Sequence, residues 1–222
     1  MVVQTAPIQT IYRHTGYQRA KRIFDLVFAL LLIVPLLFVM AIVTIAILLD
    51  SRGPVLFRQK RVGLDGKEFY LLKFRSMYHN SDDNRHREAI KAYMNGGALN
   101  GRGEAQFKLG NDDRITKVGG FIRKTSIDEL PQFFNVLRGD MSLVGPRPPL
   151  PYEVELYSAH DSLRLCGKPG LTGIWQVYGR SRVPFQEMVE MDITYLRQQS
   201  LWLDLKLIVL TIPVMVLGRG GA

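Results

Sequence analysis

Leu30-Leu-Leu-Ile-Val-Pro35-Leu-Leu-Phe-Val-Met40-Ala-Ile-Val-Thr44-Ile-Ala-Ile-Leu-Leu49 decides the class of this chain, because every residue in it is apolar except Thr44 and its only helix breaker is Pro35. About 20 residues at about 1.5 Å each reach across a hydrocarbon layer of roughly 30 Å. The run is too long for a secretory signal peptide, and no small-x-small cleavage site precedes Asp50-Ser51-Arg52-Gly53, so the segment is expected to stay attached. Its flanks are basic on both sides. Of a net charge of +9, the stretch Met1 to Arg61 supplies two thirds, through Arg13, Arg19, Lys21, Arg22, Arg52, Arg58, Lys60 and Arg61 against Asp25 and Asp50. Cations crowded around an apolar block point to an anionic membrane surface before nucleic acid. Lys/Arg flanks belong on the cytoplasmic side, so both ends ask for the same face, and Pro35 offers a bend where the chain could return. A re-entrant hairpin satisfies both flanks, and a straight span with a tolerated proline remains open beside it. Asp25 is expected at headgroup level close to Arg22 or a neighbouring cation, since a charge deeper in hydrocarbon is costly.

The chain's 222 residues are enough to bury a core, which excludes a disordered chain. The single cysteine, Cys166, excludes an internal disulfide and any CxxC zinc or redox motif; it reads as a small buried hydrophobe. Beyond Pro54 the pattern becomes that of a soluble domain. Val55-Leu-Phe-Arg-Gln and Glu68-Phe-Tyr-Leu-Leu-Lys-Phe74 flank Gly63-Leu-Asp-Gly66 and predict a β-hairpin. Residues 79–113 are polar and Gly/Asn/Asp-rich, a candidate mobile loop with one helical stretch near Arg85 to Tyr93. Helical signals then dominate, over Val118–Lys124, Glu129–Leu137 closed by Gly139, Pro151–His160 and Phe185–Gln199. Leu201 to Leu217 is apolar but carries Asp204, Lys206 and Pro213, with Trp202 at its edge. It predicts an interfacial helix at 201–217, with burial in the core as the alternative. The expected fold is α+β and mostly helical. It comprises a lead-in over 1–20, a re-entrant membrane helix over 21–51 broken near Pro35, and a catalytic domain over 52–222 with a small β-hairpin and amphipathic interfacial helices.

The densest chemistry lies in Arg123-Lys124-Thr125-Ser126-Ile127-Asp128-Glu129-Leu130-Pro131. Pro131 is comfortable only in a first helical turn, which puts Asp128 at or next to an N-cap with Glu129 following. Taken alone, Asp128 reads as a cap, and Ser126-x-x-Glu129 reads as a capping box. A helix N-terminus preceded by two cations also suits an anionic substrate. In Gly139-Asp-Met-Ser-Leu-Val-Gly145-Pro-Arg147-Pro148 one arginine stands between two prolines, an arrangement that suits a fixed phosphate fork, or else an exposed turn. Lys168-Pro-Gly-Leu-Thr-Gly173-Ile-Trp-Gln176-Val-Tyr-Gly-Arg180 reads as a glycine-rich turn able to meet a nucleotide, or as a tight loop with Trp175 in the core. Lys73 and Arg75 add two cations at the end of the second strand. GxGxxG, Walker A, HExxH and GxSxG motifs are absent, which disfavours dinucleotide, P-loop and common hydrolase chemistry. What remains suits a phosphorylated substrate handled at a membrane surface.

Together these residues resemble the bacterial sugar transferase family, the monotopic polyprenyl-phosphate phosphoglycosyl transferases. The resemblance runs from Lys21-Arg-Ile-Phe-Asp25 through the proline-bearing helix, Lys73-Phe-Arg-Ser-Met77, Ser126-Ile-Asp-Glu-Leu-Pro-Gln132, Asn135-Val-Leu-Arg-Gly-Asp-Met-Ser-Leu-Val-Gly-Pro-Arg-Pro148, Pro169-Gly-Leu-Thr-Gly173 and Leu203-Asp-Leu-Lys206. It implies that a UDP-sugar gives its sugar 1-phosphate to polyprenyl (undecaprenyl) phosphate, with release of UMP. That is the first membrane step of exopolysaccharide, lipopolysaccharide O-antigen or glycoconjugate assembly, at the cytoplasmic face of a bacterial inner membrane. It further implies that Asp128 is the nucleophile forming an aspartyl-phosphosugar intermediate, that Glu129 completes the dyad, and that Asp128 contacts Mg2+. Lys73, Arg75, Arg123, Arg147 and Asp192 then line the substrate site, and Gln176 and Arg180 fall to the nucleotide side. The resemblance favours the re-entrant helix, although Val34-Pro35 stands here where the family has Ser-Pro, and it reads the chain as a minimal catalytic form. The expected partners are UDP-sugar, polyprenyl phosphate and membrane lipid, with no nucleic acid; the sugar is open, and so is the oligomeric state, a homodimer included. The competing reading is a non-catalytic peripheral membrane protein that binds anionic lipid and uses the acidic pair as caps.

Overall fold

The computed structural model describes residues 15–78, 84–94, 112–179 and 183–216. Helix α1 covers Thr15–Asp50 as one run of 36 residues with Pro35 inside it, rather than two arms divided at the proline. By length and composition it is long and apolar enough to cross a membrane. Two stripes run along it at helical spacing. Lys21, Asp25, Ala29, Ile33, Met40, Val43 and Ile47 are buried, whereas Ile23, Val27, Leu31, Val34, Phe38, Ile42, Ile45 and Leu49 are exposed. The two stripes continue past Pro35: Leu36 and Val39 stay partly buried, while Val34, Leu37 and Phe38 face outward.

The rest of the chain packs on that buried stripe. Strands β1 (Leu56–Val62) and β2 (Glu68–Phe74) form the expected antiparallel hairpin, in which Leu56 pairs with Phe74 and Val62 with Glu68. They are joined through a 3-10 turn at Leu64–Gly66. Helix α2 (Asn84–Met94) realises the helical stretch inside the polar segment; residues 79–83 and 95–111 of that segment lie outside the described residues. Helices α3 (Lys117–Lys124) and α4 (Gln132–Arg138) bracket the acidic pair, and Gly139 ends α4 at φ +91, a left-handed cap that glycine adopts without strain. The helix expected over Pro151–His160 is only one turn, α5 (Pro151–Val154), and is followed by a 3-10 helix at Asp161–Cys166. Helices α6 (Phe185–Gln198) and α7 (Leu201–Val216) close the chain.

A pairing with no local signature is the parallel ladder of β3 (Ser142–Val144) with β4 (Gly170–Thr172). It accounts for Gly170 in the stretch read as a glycine-rich turn, because a Cβ there would stand 2.0 Å from the Gly145 nitrogen. The fold is thus α+β and mostly helical, as expected.

Two apolar clusters join α1 to the body, one on each side of Pro35. Ala29 packs with Leu71, Val136, Met141, Leu143, Val144, Tyr195, Leu196 and Leu207. Met40, Val43 and Ile47 pack with Phe74, Ile122 and Leu130. Polar anchors repeat the division. Near the start, Lys21 donates to Asp204 at 2.7 Å, and Arg22 donates to the carbonyls of Val136 (2.6 Å) and Leu137 (2.8 Å) at the end of α4. Asp25 has a neighbouring cation, Lys21, but does not lie at a headgroup. It is buried and accepts from Ser142 Oγ (3.0 Å) and the Leu143 amide (3.1 Å). At the far end Asp50 accepts from the Val118 amide at 3.0 Å. Several cations counted as membrane flank are therefore structural anchors, while Arg19, Arg52 and Arg58 remain exposed.

Helix α7 combines both readings of its sequence: Asp204 and Leu207 are fully buried, while Trp202, Val209 and Ile212 are exposed. Its Asp204 also accepts from Tyr17 (3.1 Å) and Tyr195 (2.6 Å), so one carboxylate binds α1, α6 and α7 together.

Candidate active site

The acidic pair occupies a 3-10 turn, Ile127–Glu129, between α3 and α4. Neither carboxylate caps a helix. Ser126 lies at φ +56 and makes no capping hydrogen bond, and the residue before α4 is Pro131. The capping box predicted from Ser126 and Glu129 is therefore not formed. A non-glycine residue in the left-handed region costs on the order of 1 kcal/mol, and the turn it opens brings Asp128 and Glu129 to Lys73 of β2.

Strand β2 supplies the counter-charge. Lys73 Nζ lies 2.7 Å from Glu129 Oε1 and 4.0 Å from Asp128 Oδ2. The register between strand and turn is fixed by Asn135, a fully buried residue of α4 that the sequence marked only as part of a motif. Its amide accepts from Leu72 N (3.0 Å) and donates to Tyr70 O (2.8 Å), bonding like a short piece of neighbouring strand.

Burial pushes the Asp128 carboxyl up to about 6; Lys73 opposes the shift, the Glu129 charge adds to it, and Arg123 opposes it further. Burial also pushes Glu129 upward, but the charge and hydrogen bond of Lys73, with Arg61 and Arg147, hold it below the usual carboxylate range. The two neighbours are thereby separated: Glu129 is a permanent partner of Lys73, and Asp128 titrates near neutrality. Splitting the pKa values of adjacent acids gives each a different role.

Four cations converge on this pair: Lys73, Arg123, Arg61 and Arg147. Arg123, in the last turn of α3, keeps a buried Nε with no hydrogen-bond partner among the described residues. Such an orphan donor beside a carboxylate is a natural contact for an oxyanion. Arg147 lies 3.3 Å from Glu153 and 5.8 Å from the centre of the Trp175 ring. Ile90, Tyr93, Met94, Phe185 and Met188 complete a hollow around those three residues.

Other expected residues have different employment. Arg75 is buried and donates to the carbonyls of Pro54 (2.8 Å) and Ser51 (2.6 Å), so it fastens the end of α1 rather than lining the site. Asp192 is fully buried in an ion pair with Arg164 and supports the site from behind. Gln176 sits half-buried in the π-helical turn Trp175–Gly179, and Arg180 lies outside the described residues. Arg61, counted by sequence with the membrane flank, belongs to the site instead; its burial in a strand end has no local signal. Glu153 and Arg164 were likewise not singled out by sequence.

No group of three or more His, Cys, Asp or Glu side chains stands together among the described residues. Mg2+ commonly takes one or two carboxylates and fills its shell with substrate phosphate and water, and Asp128, which has no cation closer than 4.0 Å, fits that limited donor set.

Comparison with known proteins agrees with this chemistry. A sequence profile described as "Bacterial sugar transferase" matches residues 16–218. The chain is 44% identical over 205 residues to the galactosyl transferase CpsE of Streptococcus agalactiae serotype III, covering 91% of this chain and 43% of that protein. It is 40% identical over 212 residues to the UDP-glucose:undecaprenyl-phosphate glucose-1-phosphate transferase of Xanthomonas campestris pv. campestris, covering 91% of this chain and 40% of the other. It is 41% identical over 208 residues to the exopolysaccharide production protein ExoY of Rhizobium meliloti, covering 91% and 88%. The chain thus spans about two fifths of the first two relatives and most of the third.

Proposed function

The chain belongs to the bacterial sugar transferase family, and from that premise we propose that it transfers a hexose 1-phosphate from a UDP-hexose to a polyprenyl phosphate at a membrane surface. The observation that carries this reading is a titrating carboxylate, Asp128, set among Lys73, Arg123, Arg61 and Arg147 on a body that also docks a long apolar helix. A lipid-binding protein that used the acidic pair as helix caps does not need this arrangement, and neither residue caps a helix.

In the proposed reaction an Asp128 oxygen attacks the sugar-bearing phosphorus of the donor. The bond from that phosphorus to the bridging oxygen breaks, and UMP leaves with the electron pair. An oxygen of the polyprenyl phosphate then attacks the same phosphorus, and the bond to Asp128 breaks, which restores the carboxylate and yields polyprenyl-diphosphate-hexose. Splitting the transfer in two keeps the two anionic substrates from meeting directly. Asp128 must be ionised to attack, and Lys73 favours that form. Arg123 and Arg147 meet the donor's phosphate oxygens, and Glu129 holds Lys73 in place. Mg2+, if bound, would be held by Asp128 and would neutralise charge on the diphosphate.

We further propose that α1 enters and leaves the bilayer by one face, with the body on the cytoplasmic side. Polar anchors at both ends reach the same body, basic residues flank the apolar run on both sides, and Pro35 lies between them as a point where the helix can bend. The exposed apolar face of α7 lies at the same surface in this reading.

The test measures UMP release from UDP-galactose, UDP-glucose and N-acetylated UDP-hexoses with undecaprenyl phosphate, for wild type and Asp128→Asn. Release by the wild type alone supports the reading; equal release by both removes the nucleophile assignment, and no release from any donor removes the activity. For topology, single cysteines placed before Lys21 and after Ser51 should be labelled from one side, and labelling from opposite sides overturns the re-entrant path.

A further inference from the structure

Pro146, Pro148 and Pro149 have no N–H, so the segment carrying Arg147 cannot build its own ladder and its carbonyls must find donors elsewhere. They do so in unbroken succession. Pro146 O accepts from Gly170 N (2.9 Å), Arg147 O from Arg164 Nη2 (3.2 Å), Pro148 O from Arg61 Nη1 (2.8 Å), and Pro149 O from Val62 N (2.9 Å). Two of these donors are backbone amides that almost any residue would provide. The other two are buried arginines, and Arg164 is neutralised by Asp192. Arg61 has no such close carboxylate among the described residues: its Nε and Nη2 are held by the neutral Gln59 Oε1, at 3.1 and 2.6 Å.

A guanidinium buried beside a second guanidinium is an unfavourable way to satisfy a carbonyl. Burial first, and then the Arg147 charge, hold the Arg61 pKa down to about 10. A neutral donor would have served Pro148 O if packing were the only demand. The charge is offset by Glu153 and Glu129, and it would be offset further by an anion gripped by Arg147. All three nitrogens of the Arg61 guanidinium are already engaged, so it does not need to touch the substrate to act on it.

We propose that Arg61, braced by Gln59, is a positioning residue for Arg147: it fixes the Pro-Arg-Pro turn through the Pro148 carbonyl so that the Arg147 guanidinium meets the donor diphosphate. This rests on the transferase reading above. Loss of Arg61 should therefore act on donor binding through Arg147, and not on the attacking carboxylate.

The test compares steady-state UMP release by the full chain for Arg61→Ala, Arg61→Lys, Gln59→Leu, Arg147→Ala and the double variant Arg61→Ala/Arg147→Ala, with UDP-galactose and UDP-glucose as donors. Arg61→Ala should raise the donor KM by about tenfold with kcat within about threefold, the scale of one lost charged hydrogen bond. Arg61→Lys, which keeps a donor for Pro148 O, and Gln59→Leu should fall between. The double variant should be within about twofold of Arg147→Ala, because a residue that works through Arg147 has nothing left to position. KM effects that multiply in the double variant overturn the proposal, and so does an unchanged KM with a lowered melting temperature. Should Arg61→Ala fail to fold, Arg61→Lys and Gln59→Leu decide, and an unchanged KM in both is equally fatal. A wild type that releases no UMP from either donor or the wider panel sinks the transferase reading itself, whereas an active wild type with a flat Arg61 series sinks only this inference.

Discussion

Lys73 holds Glu129 at 2.7 Å and leaves Asp128 at 4.0 Å, so a single cation pairs with one acid and only biases the other. Removing it as Lys73→Met should leave two neighbouring carboxylates competing for one proton. The acid limb of the pH–rate profile, expected near 6 in the wild type, should move upward, and activity at pH 7 should fall by about tenfold or more. A limb that stays in place would show that Lys73 does not govern the ionisation of Asp128.

The same shift has a consequence for stability. The folded protein holds the Asp128 proton more tightly than the unfolded chain does, so stability is lost as pH rises from the ordinary carboxylate range through about 6. Asp128→Asn removes that loss. It should raise stability by about 1–2 kcal/mol at pH 7.5, a figure reduced for the lost attraction to Lys73, and change it little at pH 4. Thermal unfolding at the two pH values checks this, and destabilisation at pH 7.5 refutes it.

Lys21 and Asp204 form a buried ion pair between α1 and α7. Lys21→Met leaves Asp204 buried with only the hydroxyls of Tyr17 and Tyr195, and should cost about 3 kcal/mol or more. The double change Lys21→Met/Asp204→Leu removes both charges and should be milder than Lys21→Met alone. Melting in detergent distinguishes them; a double variant worse than the single one would mean that the charges themselves are needed.

Gly170→Ala places a methyl group 2.0 Å from the backbone nitrogen of Gly145, where no flexible side chain can yield. It should separate β3 from β4 and cost at least about 2 kcal/mol, with donor binding weakened because Pro146 O is tied to Gly170 N. A melting temperature within one degree of wild type contradicts this.

What could be read from the sequence was whatever is written locally. The apolar run of α1, the hairpin about Gly63–Gly66 and the end of α4 at Gly139 each depend on neighbouring residues, and each is present. Asp128, Glu129 and Lys73 could be picked out because they stand in short local motifs, the acidic pair just before Pro131 and the lysine at the end of an expected strand. The uses of arginine could not be read in this way. Arg61 stands near the end of β1 and Arg75 just past the end of β2, yet one fastens a proline turn 87 residues away and the other a helix end. The distinction is made by which carbonyls lack a donor after folding, and no local pattern records that. The pairing of β3 with β4 was hidden for the same reason, since three-residue strands carry no periodicity.

The anchors of α1 also set an order of events. Its Lys21 waits for a partner 183 residues later, its Asp25 for one 117 residues later, and its Arg22 for carbonyls 114 and 115 residues later. Among the described elements the helix is the first to leave the ribosome, and its Lys21 is fastened only by the last. Until α7 is made, the end of α1 that carries Lys21 has a cation without its counter-ion, which keeps that end in contact with water and headgroups. Seating that end of the helix and closing the domain are thus one late step of biogenesis, and a nascent chain stopped before Asp204 would hold α1 by its other anchors but leave Lys21 without its partner.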